Sequence, residues 1–175
     1  MIEQRIKAKV RDVADFPIPG IVFKDLTPIL KDPLLCRDML VEMNKMASLL
    51  SVDAIVGIES RGFWFGVPMS IDLRVPFIPI RKVGKLPYET ISHEYDLEYG
   101  TATIEMHVDA IQPGQKVLIH DDLLATGGTA LAAAELVKRA GGIVVGYLFI
   151  AELAFLEGRS KLLSSSENIA NLARW

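Results

Sequence analysis

Two adjacent carboxylates, Asp121-Asp122, precede the threonine-bracketed glycines Thr126-Gly127-Gly128-Thr129, with Leu123-Leu124-Ala125 between them. Such a carboxylate pair repels phosphate but accepts hydrogen bonds from vicinal hydroxyls, as an acidic residue does on a nucleotide ribose. Gly127 and Gly128 lack Cβ, so the backbone there can curl and aim successive N–H groups at one anion. Thr126 and Thr129 add hydroxyl donors, and a helix starting at this point adds the positive end of its dipole. Hydroxyl acceptors followed by an anion cradle suit a sugar phosphate. An ATPase loop is a poorer match, because the Gly-Lys-Ser/Thr ending is missing. The plainer reading, a strand, a polar turn and a capped helix, accounts for Gly-Gly-Thr alone but leaves the acid pair without a use.

Two further clusters carry charge beside glycine. In Glu59-Ser60-Arg61-Gly62, the Arg61 guanidinium can fork onto phosphate or diphosphate oxygens. In Arg81-Lys82-Val83-Gly84-Lys85, three cations around a glycine suit an anion of several charges. Each cluster also has an ordinary reading as a surface ion pair or a solvated turn.

All three follow short apolar runs that read as buried strands: Ala54–Ile58, Pro76–Ile80 and Val117–Ile119. In an open parallel sheet the carboxyl ends of the strands are where ligands bind, so one rim would gather all three clusters. Between the strands lie helical patterns. Asp32-Pro33 is a helix start, with Leu35, Met39, Met43, Met46 and Leu50 on one buried face. Phe63-Trp64-Phe65 begins another helix, ending near Leu73. Thr129–Ala140 forms a third, stopped by Gly141-Gly142. Ile143–Ala151 reads as a further buried strand. At the amino end, Ile2, Ile6, Val10 and Val13 predict one amphipathic helix. Phe16-Pro17-Ile18-Pro19-Gly20 then imposes an extended turn, and Ile21-Val22-Phe23 reads as an edge strand or the wall of a pocket for a flat base. Tyr88–Tyr99 and the alternating Thr101–Val108 predict a long hairpin-like excursion, a lid in character. Glu105, within it, reads as solvent-facing or ion-paired, and Glu167–Trp175 as a short terminal helix.

With 175 residues, half of them hydrophobic, one domain with a sizeable core is expected. The net charge of −3 is dispersed, without a basic stripe for nucleic acid. A single cysteine, Cys36, rules out an internal disulfide and fits a reducing compartment. His93, His107 and His120 have no metal-ligand spacing. The start of the chain lacks the apolar core of a signal peptide, and the longest apolar run is too short to span a bilayer. A soluble, cytoplasmic protein is expected, with small-molecule substrates and no nucleic-acid or membrane partner.

Asp-Asp-Leu-Leu-Ala-Thr-Gly-Gly-Thr resembles the 5-phosphoribosyl-1-diphosphate motif of the type I phosphoribosyltransferases, and most of all that of the adenine phosphoribosyltransferases. The resemblance extends to Phe16-Pro17…Pro19-Gly20-Ile21-Val22-Phe23-Lys24-Asp25-Leu26-Thr27-Pro28, Glu59-Ser60-Arg61-Gly62-Phe63, Arg81–Pro87 and Leu97-Glu98-Tyr99-Gly100, in that order. It implies an α/β fold of type I: a mainly parallel twisted sheet flanked by helices. A small N-terminal hood over about residues 1–33 and a flexible hairpin-like loop over about residues 82–106 would belong to the same domain, 1–175.

The implied reaction joins adenine to phosphoribosyl diphosphate, giving AMP and diphosphate, with Mg²⁺ carried mainly by the substrate diphosphate and a homodimer as the working unit. By resemblance, Asp121 and Asp122 hold the ribose hydroxyls, and Ala125, Thr126, Gly127, Gly128 and Thr129 cradle the 5′-phosphate. Glu59, Ser60, Arg61, Arg81, Lys82 and Lys85 serve the diphosphate, some of them from the partner subunit. Val22, Phe23 and Lys24 line the base pocket, with Lys24 standing where the family commonly has Arg. Glu98, with Tyr99, is the acid/base. Two alternatives remain open at this point: the same chemistry on another purine, and a non-catalytic sensor of phosphoribosyl diphosphate.

Overall fold

Alternation along the strands decides the layers. In the computed structural model, which describes residues 1–96 and 100–175, Ala54–Ile58 (β3) is buried on both faces. Ala54, Val56 and Ile58 point into one core and Ile55 into the other. Lys116–Leu124 (β7) does the same, with Val117 and Ile119 on the first face and Leu118 on the second. A strand buried on both sides belongs inside a sheet covered by helices on each face.

The chain begins with Ile2–Lys9 (α1), then Arg11–Ala14 (β1) and Val22–Asp25 (β2), which pair antiparallel as a separate two-stranded sheet. Pro33–Ser48 (α2) precedes β3, and Phe63–Leu73 (α3) leads to Phe77–Lys82 (β4). Thr90–Asp96 (β5) and Thr101–His107 (β6) form an antiparallel pair before β7. Gly128–Arg139 (α4), Ile143–Glu152 (β8), Gly158–Leu162 (α5) and Ile169–Arg174 (β9) complete the order.

The main sheet has the order β5-β6-β4-β3-β7-β8-β9. β4, β3, β7, β8 and β9 run parallel, while β6 is antiparallel to both β4 and β5. One core lies under α4, through Ala133, Leu136 and Val137. The other lies under α1, α2 and α3, through Ile6, Met39, Met43 and Met69. Asp32 caps α2, its carboxylate accepting from Leu35 N at 3.0 Å, as the Asp-Pro start predicts. No helix among the described residues is long and apolar enough to cross a membrane.

Three elements differ from the sequence expectation. α1 stops at Lys9 because Val10 turns extended (φ −65°, ψ 135°), and Val13 pairs with Phe23 across the small sheet instead of continuing the helical stripe. The motif strand runs on to Leu124, so both aspartates lie within β7 and not beyond it. The carboxyl-terminal residues form β9 where a helix is predicted. Its Leu172 and Ala173 are buried, and its backbone pairs with β8, which would otherwise expose an apolar edge.

Candidate active site

The chain moves from β3 outward to β4 and later returns to place β7 on the other side of β3. Ligands bind outside the carboxyl ends of the strands at such a switch point. Two cavities meet there, of about 470 and 260 Å³. Glu59, Lys82, Tyr95 and Thr103 wall the larger one, and Phe23 with Ala125–Ala130 the smaller. Arg61, Asp121 and Thr129 line both. A third cavity, of about 430 Å³ between α2 and β9, contains none of these residues.

The two aspartates divide their work because neighbours on a strand face opposite ways. Asp121 shares the α4 face and opens onto both cavities. Asp122 is 1% exposed on the other face. Arg61 Nε lies 3.1 Å from its Oδ2, an ion contact without the alignment of a hydrogen bond. Burial, reinforced by the Asp122 charge beside it, pushes the Asp121 carboxyl well above the ordinary range. Burial raises Asp122 as well, and the Arg61 guanidinium works against that rise. Asp122 N donates to Asp121 Oδ1 at 2.8 Å, fixing the upper carboxylate against the strand.

Beyond β7 the backbone curls through Ala125–Thr129 into α4. Gly127 is the residue before the helix, at φ +78°, a left-handed conformation that a side chain would strain. Among the described residues no side chain caps this helix, so its first amides remain available to an anion. Thr129 Oγ1 lies 3.1 Å from the Tyr95 hydroxyl of β5.

At the other end, Glu59 accepts from Arg81 Nε at 3.1 Å, Arg81 Nη2 at 3.3 Å and Lys82 N at 3.0 Å. Burial would raise the Glu59 carboxyl, but these bonds hold it below its ordinary value. Arg81 Nη1 donates in turn to Lys85 O at 3.0 Å. The cationic turn is therefore braced by a carboxylate beneath it.

The family profile described as a phosphoribosyl transferase domain matches residues 28–162. The chain is 53% identical to the adenine phosphoribosyltransferase of Cytophaga hutchinsonii over 175 residues, covering 100% of this chain and 97% of that one. It superposes on the crystal structure of adenine phosphoribosyltransferase from Thermoanaerobacter pseudethanolicus with a TM-score of 0.94, at 47% identity and full coverage of both chains. The Saccharomyces cerevisiae enzyme, solved with an imino-altritol bisphosphate and adenine, matches with a TM-score of 0.89 at 39% identity, covering 98% of each chain. The chain belongs to the adenine phosphoribosyltransferase family.

Not every residue that the family resemblance assigns to a ligand faces the cavities. Glu59 does line the larger cavity, with its carboxylate engaged by Arg81 and the Lys82 amide. Lys24 turns away, its ammonium 2.6 Å from Asp12 Oδ1 and 5.8 Å from the Trp175 ring centroid. Val22 is 52% exposed, while Phe23 lines the smaller cavity with the Arg61 guanidinium 5.6 Å from its ring. Lys82 lines the larger cavity; Ser60 and Lys85 are exposed at the rim. Glu98 and Tyr99 lie outside the described residues.

Glu105 is not solvent-facing, and among the described residues it has no ion pair. It is 3% exposed and accepts from Lys85 N and Leu86 N, each at 3.0 Å, and from Thr90 Oγ1 at 3.3 Å. Against a burial that would raise its carboxyl, these backbone amides lower it. It ties the Arg81–Leu86 turn to the hairpin, a role legible only once β6 is placed beside β4, with Arg81 opposite Glu105. Tyr95 also escapes a sequence reading, since nothing in its neighbourhood of the chain points to Thr129.

Proposed function

We propose that the enzyme transfers the 5-phosphoribosyl group of phosphoribosyl diphosphate to adenine, releasing diphosphate and giving AMP. The observation that carries this reading is the continuity of the two cavities through Arg61, Asp121 and Thr129. An anion turn stands at one end, a braced cationic turn at the other and a hydroxyl acceptor between them. The 5′-phosphate sits on the amides and hydroxyls of Ala125–Thr129, and Asp121 accepts from the ribose hydroxyls. Arg61, Lys82 and the Arg81–Lys85 turn face the diphosphate, and Phe23 offers an apolar face to the base.

Breaking the anomeric C–O bond leaves an oxocarbenium-like carbon and moves negative charge onto the departing diphosphate. The cations fixed by Glu59 and Asp122 stabilise that charge without reorganising. As the new C–N bond forms, the base loses a ring-nitrogen proton. Glu98, from the loop that also carries Tyr99, is the proposed acceptor. Closure of that loop excludes the water that would hydrolyse the activated sugar.

No three His, Cys, Asp or Glu side chains gather into a metal cage among the described residues. The hard oxygens of Asp121 at the rim suit an ion held mostly by substrate oxygens, as Mg²⁺ is with phosphates. When bound, it would add charge neutralisation at the diphosphate. Chain 1–175 is proposed to act as one domain, with 1–33 as hood and 82–106 as mobile loop. A homodimer is proposed as well: Leu34 and Val41 of α2, with Val67 and Ile71 of α3, leave apolar side chains exposed. A panel of purine bases with phosphoribosyl diphosphate and Mg²⁺, read as nucleotide formed, tests the reading. AMP as the dominant product is expected, and nucleotide from hypoxanthine or xanthine alone would overturn the base assignment.

A further inference from the structure

A glycine turn binds an anion well only if its amides are already aimed, and Gly127 and Gly128 cannot hold that aim themselves. The support comes from residues some thirty positions further along the chain. The Gly158 backbone, at the start of α5, lies directly behind the turn. A Cβ added to Gly127 would come 2.5 Å from Gly158 O, and one added to Gly158 would overlap Ala125 O and lie 2.8 Å from Gly127 N. Two glycines thus meet backbone to backbone, and Gly158 is not among the residues that line the smaller cavity.

Gly158 is held in turn by its neighbour. Arg159 forks onto Glu152, with Nε to Oε1 at 3.1 Å and Nη2 to Oε2 at 2.6 Å, and Nη1 donates to Ile169 O at 2.7 Å. Glu152 ends β8 and is 2% exposed; Asn171 Nδ2 donates to it at 2.5 Å, and Arg174 Nε lies 3.6 Å away. The residue after it, Leu153, donates its amide to Leu124 O at 2.9 Å, at the end of the motif strand. A bidentate pair fixes direction as well as distance. This one joins β8, α5 and β9 into a wall against which the turn is pressed.

We propose that Glu152 and Arg159 are positioning residues for the 5′-phosphate, acting through the Gly158 backbone on the amides of Ala125–Thr129. The proposal rests on the assignment of that turn to a phosphoribosyl ligand. Its prediction is selective. Disturbing the pair weakens ligands that carry the 5′-phosphate far more than adenine, because Phe23, across the same cavity, stands on β2, which neither Glu152 nor Arg159 bonds.

The test measures ribose 5-phosphate binding by titration calorimetry, and KM for both substrates with kcat, on the full chain. Gly158→Ala and Arg159→Met are expected to weaken ribose 5-phosphate and raise KM for phosphoribosyl diphosphate by about 10- to 100-fold, the scale of small misplacements at a binding site. KM for adenine should stay within about twofold, a fraction of 1 kcal/mol. Arg159→Lys, which keeps the charge and loses the fork, should fall between wild type and Arg159→Met. Glu152→Gln, milder for folding, should shift phosphate affinity in the same direction. Circular dichroism confirms that each variant is folded at the assay temperature. Folded variants that bind ribose 5-phosphate as wild type does would overturn the positioning role. Wild type that fails to bind ribose 5-phosphate at all would overturn the assignment of the turn itself.

Discussion

His120 offers a measurement in which one proton reports on the floor of the site. Its ring is fully buried on the α3 face of β7, Nδ1 donates to Leu148 O at 2.7 Å, and among the described residues Nε2 has no hydrogen-bond partner. Burial lowers its pKa from 6.5 to about 4, against a smaller upward pull from the Leu148 carbonyl. A histidine with a depressed folded pKa contributes its full stability above the unfolded value. That contribution falls away as the pH drops through the window between about 6.5 and about 4. From these two values the loss is about 2 kcal/mol between pH 7.5 and pH 5, and about 3 kcal/mol by pH 4. Glu59 and Glu105, held below their ordinary 4.5, lose their own contributions only at more acid pH. Asp121 and Asp122, raised by burial, act with the opposite sign in the same window, so His120 is read from the difference between wild type and a variant that cannot titrate there.

His120→Asn supplies the control. An amide nitrogen can replace Nδ1 as donor to Leu148, and the variant cannot titrate. It should be less stable at neutral pH because the ring leaves a cavity, yet lose about 2 kcal/mol less than wild type on going to pH 5. Urea unfolding at a series of pH values, with m held as a check on two-state behaviour, reads the difference. Parallel pH profiles for the two proteins would refute the argument.

Three other substitutions probe the chemistry. Glu98→Ala should lower kcat by about 10²- to 10⁴-fold and leave phosphoribosyl diphosphate binding intact in calorimetry; unchanged turnover removes Glu98 from the mechanism. Asp121→Asn should chiefly raise KM for phosphoribosyl diphosphate, and an unaltered value counts against the ribose assignment. Glu105→Ala leaves the Lys85 and Leu86 amides without their acceptor and should cost about 1–3 kcal/mol in chemical denaturation. A stability equal to wild type would show that the hairpin does not depend on that carboxylate.

The site was legible where a buried strand runs straight into charge. Ile58 into Glu59, Ile80 into Arg81 and Ile119 towards Asp121 are abrupt changes of polarity that single out one edge of the sheet. The same logic applies to β8, which ends in Glu152, but there the partner is Arg159 and the product is a half-buried clamp that lines neither cavity of the site. What stayed hidden depends on contacts between distant segments. Neither the amides held by Glu105 nor the Gly127–Gly158 approach leaves a local pattern. The terminal strand reads as a helix in the sequence because Ile169, Leu172 and Ala173 satisfy helical spacing as well. The open edge of β8 decides between the two, and that edge exists only after the sheet has formed. The pairing of the Lys24 ammonium with Asp12 is likewise invisible in the sequence, since the two meet only when β1 and β2 pair.

The contact between the two glycines also bears on the order in which a newborn chain acquires its properties. A polypeptide emerging from the ribosome through Thr129 already has every group that would touch a sugar phosphate, yet the backing wall is still unmade. Affinity for the nucleotide product should therefore arise late, once β8 and α5 have docked. A free nucleotide would then stabilise only chains that have completed both segments.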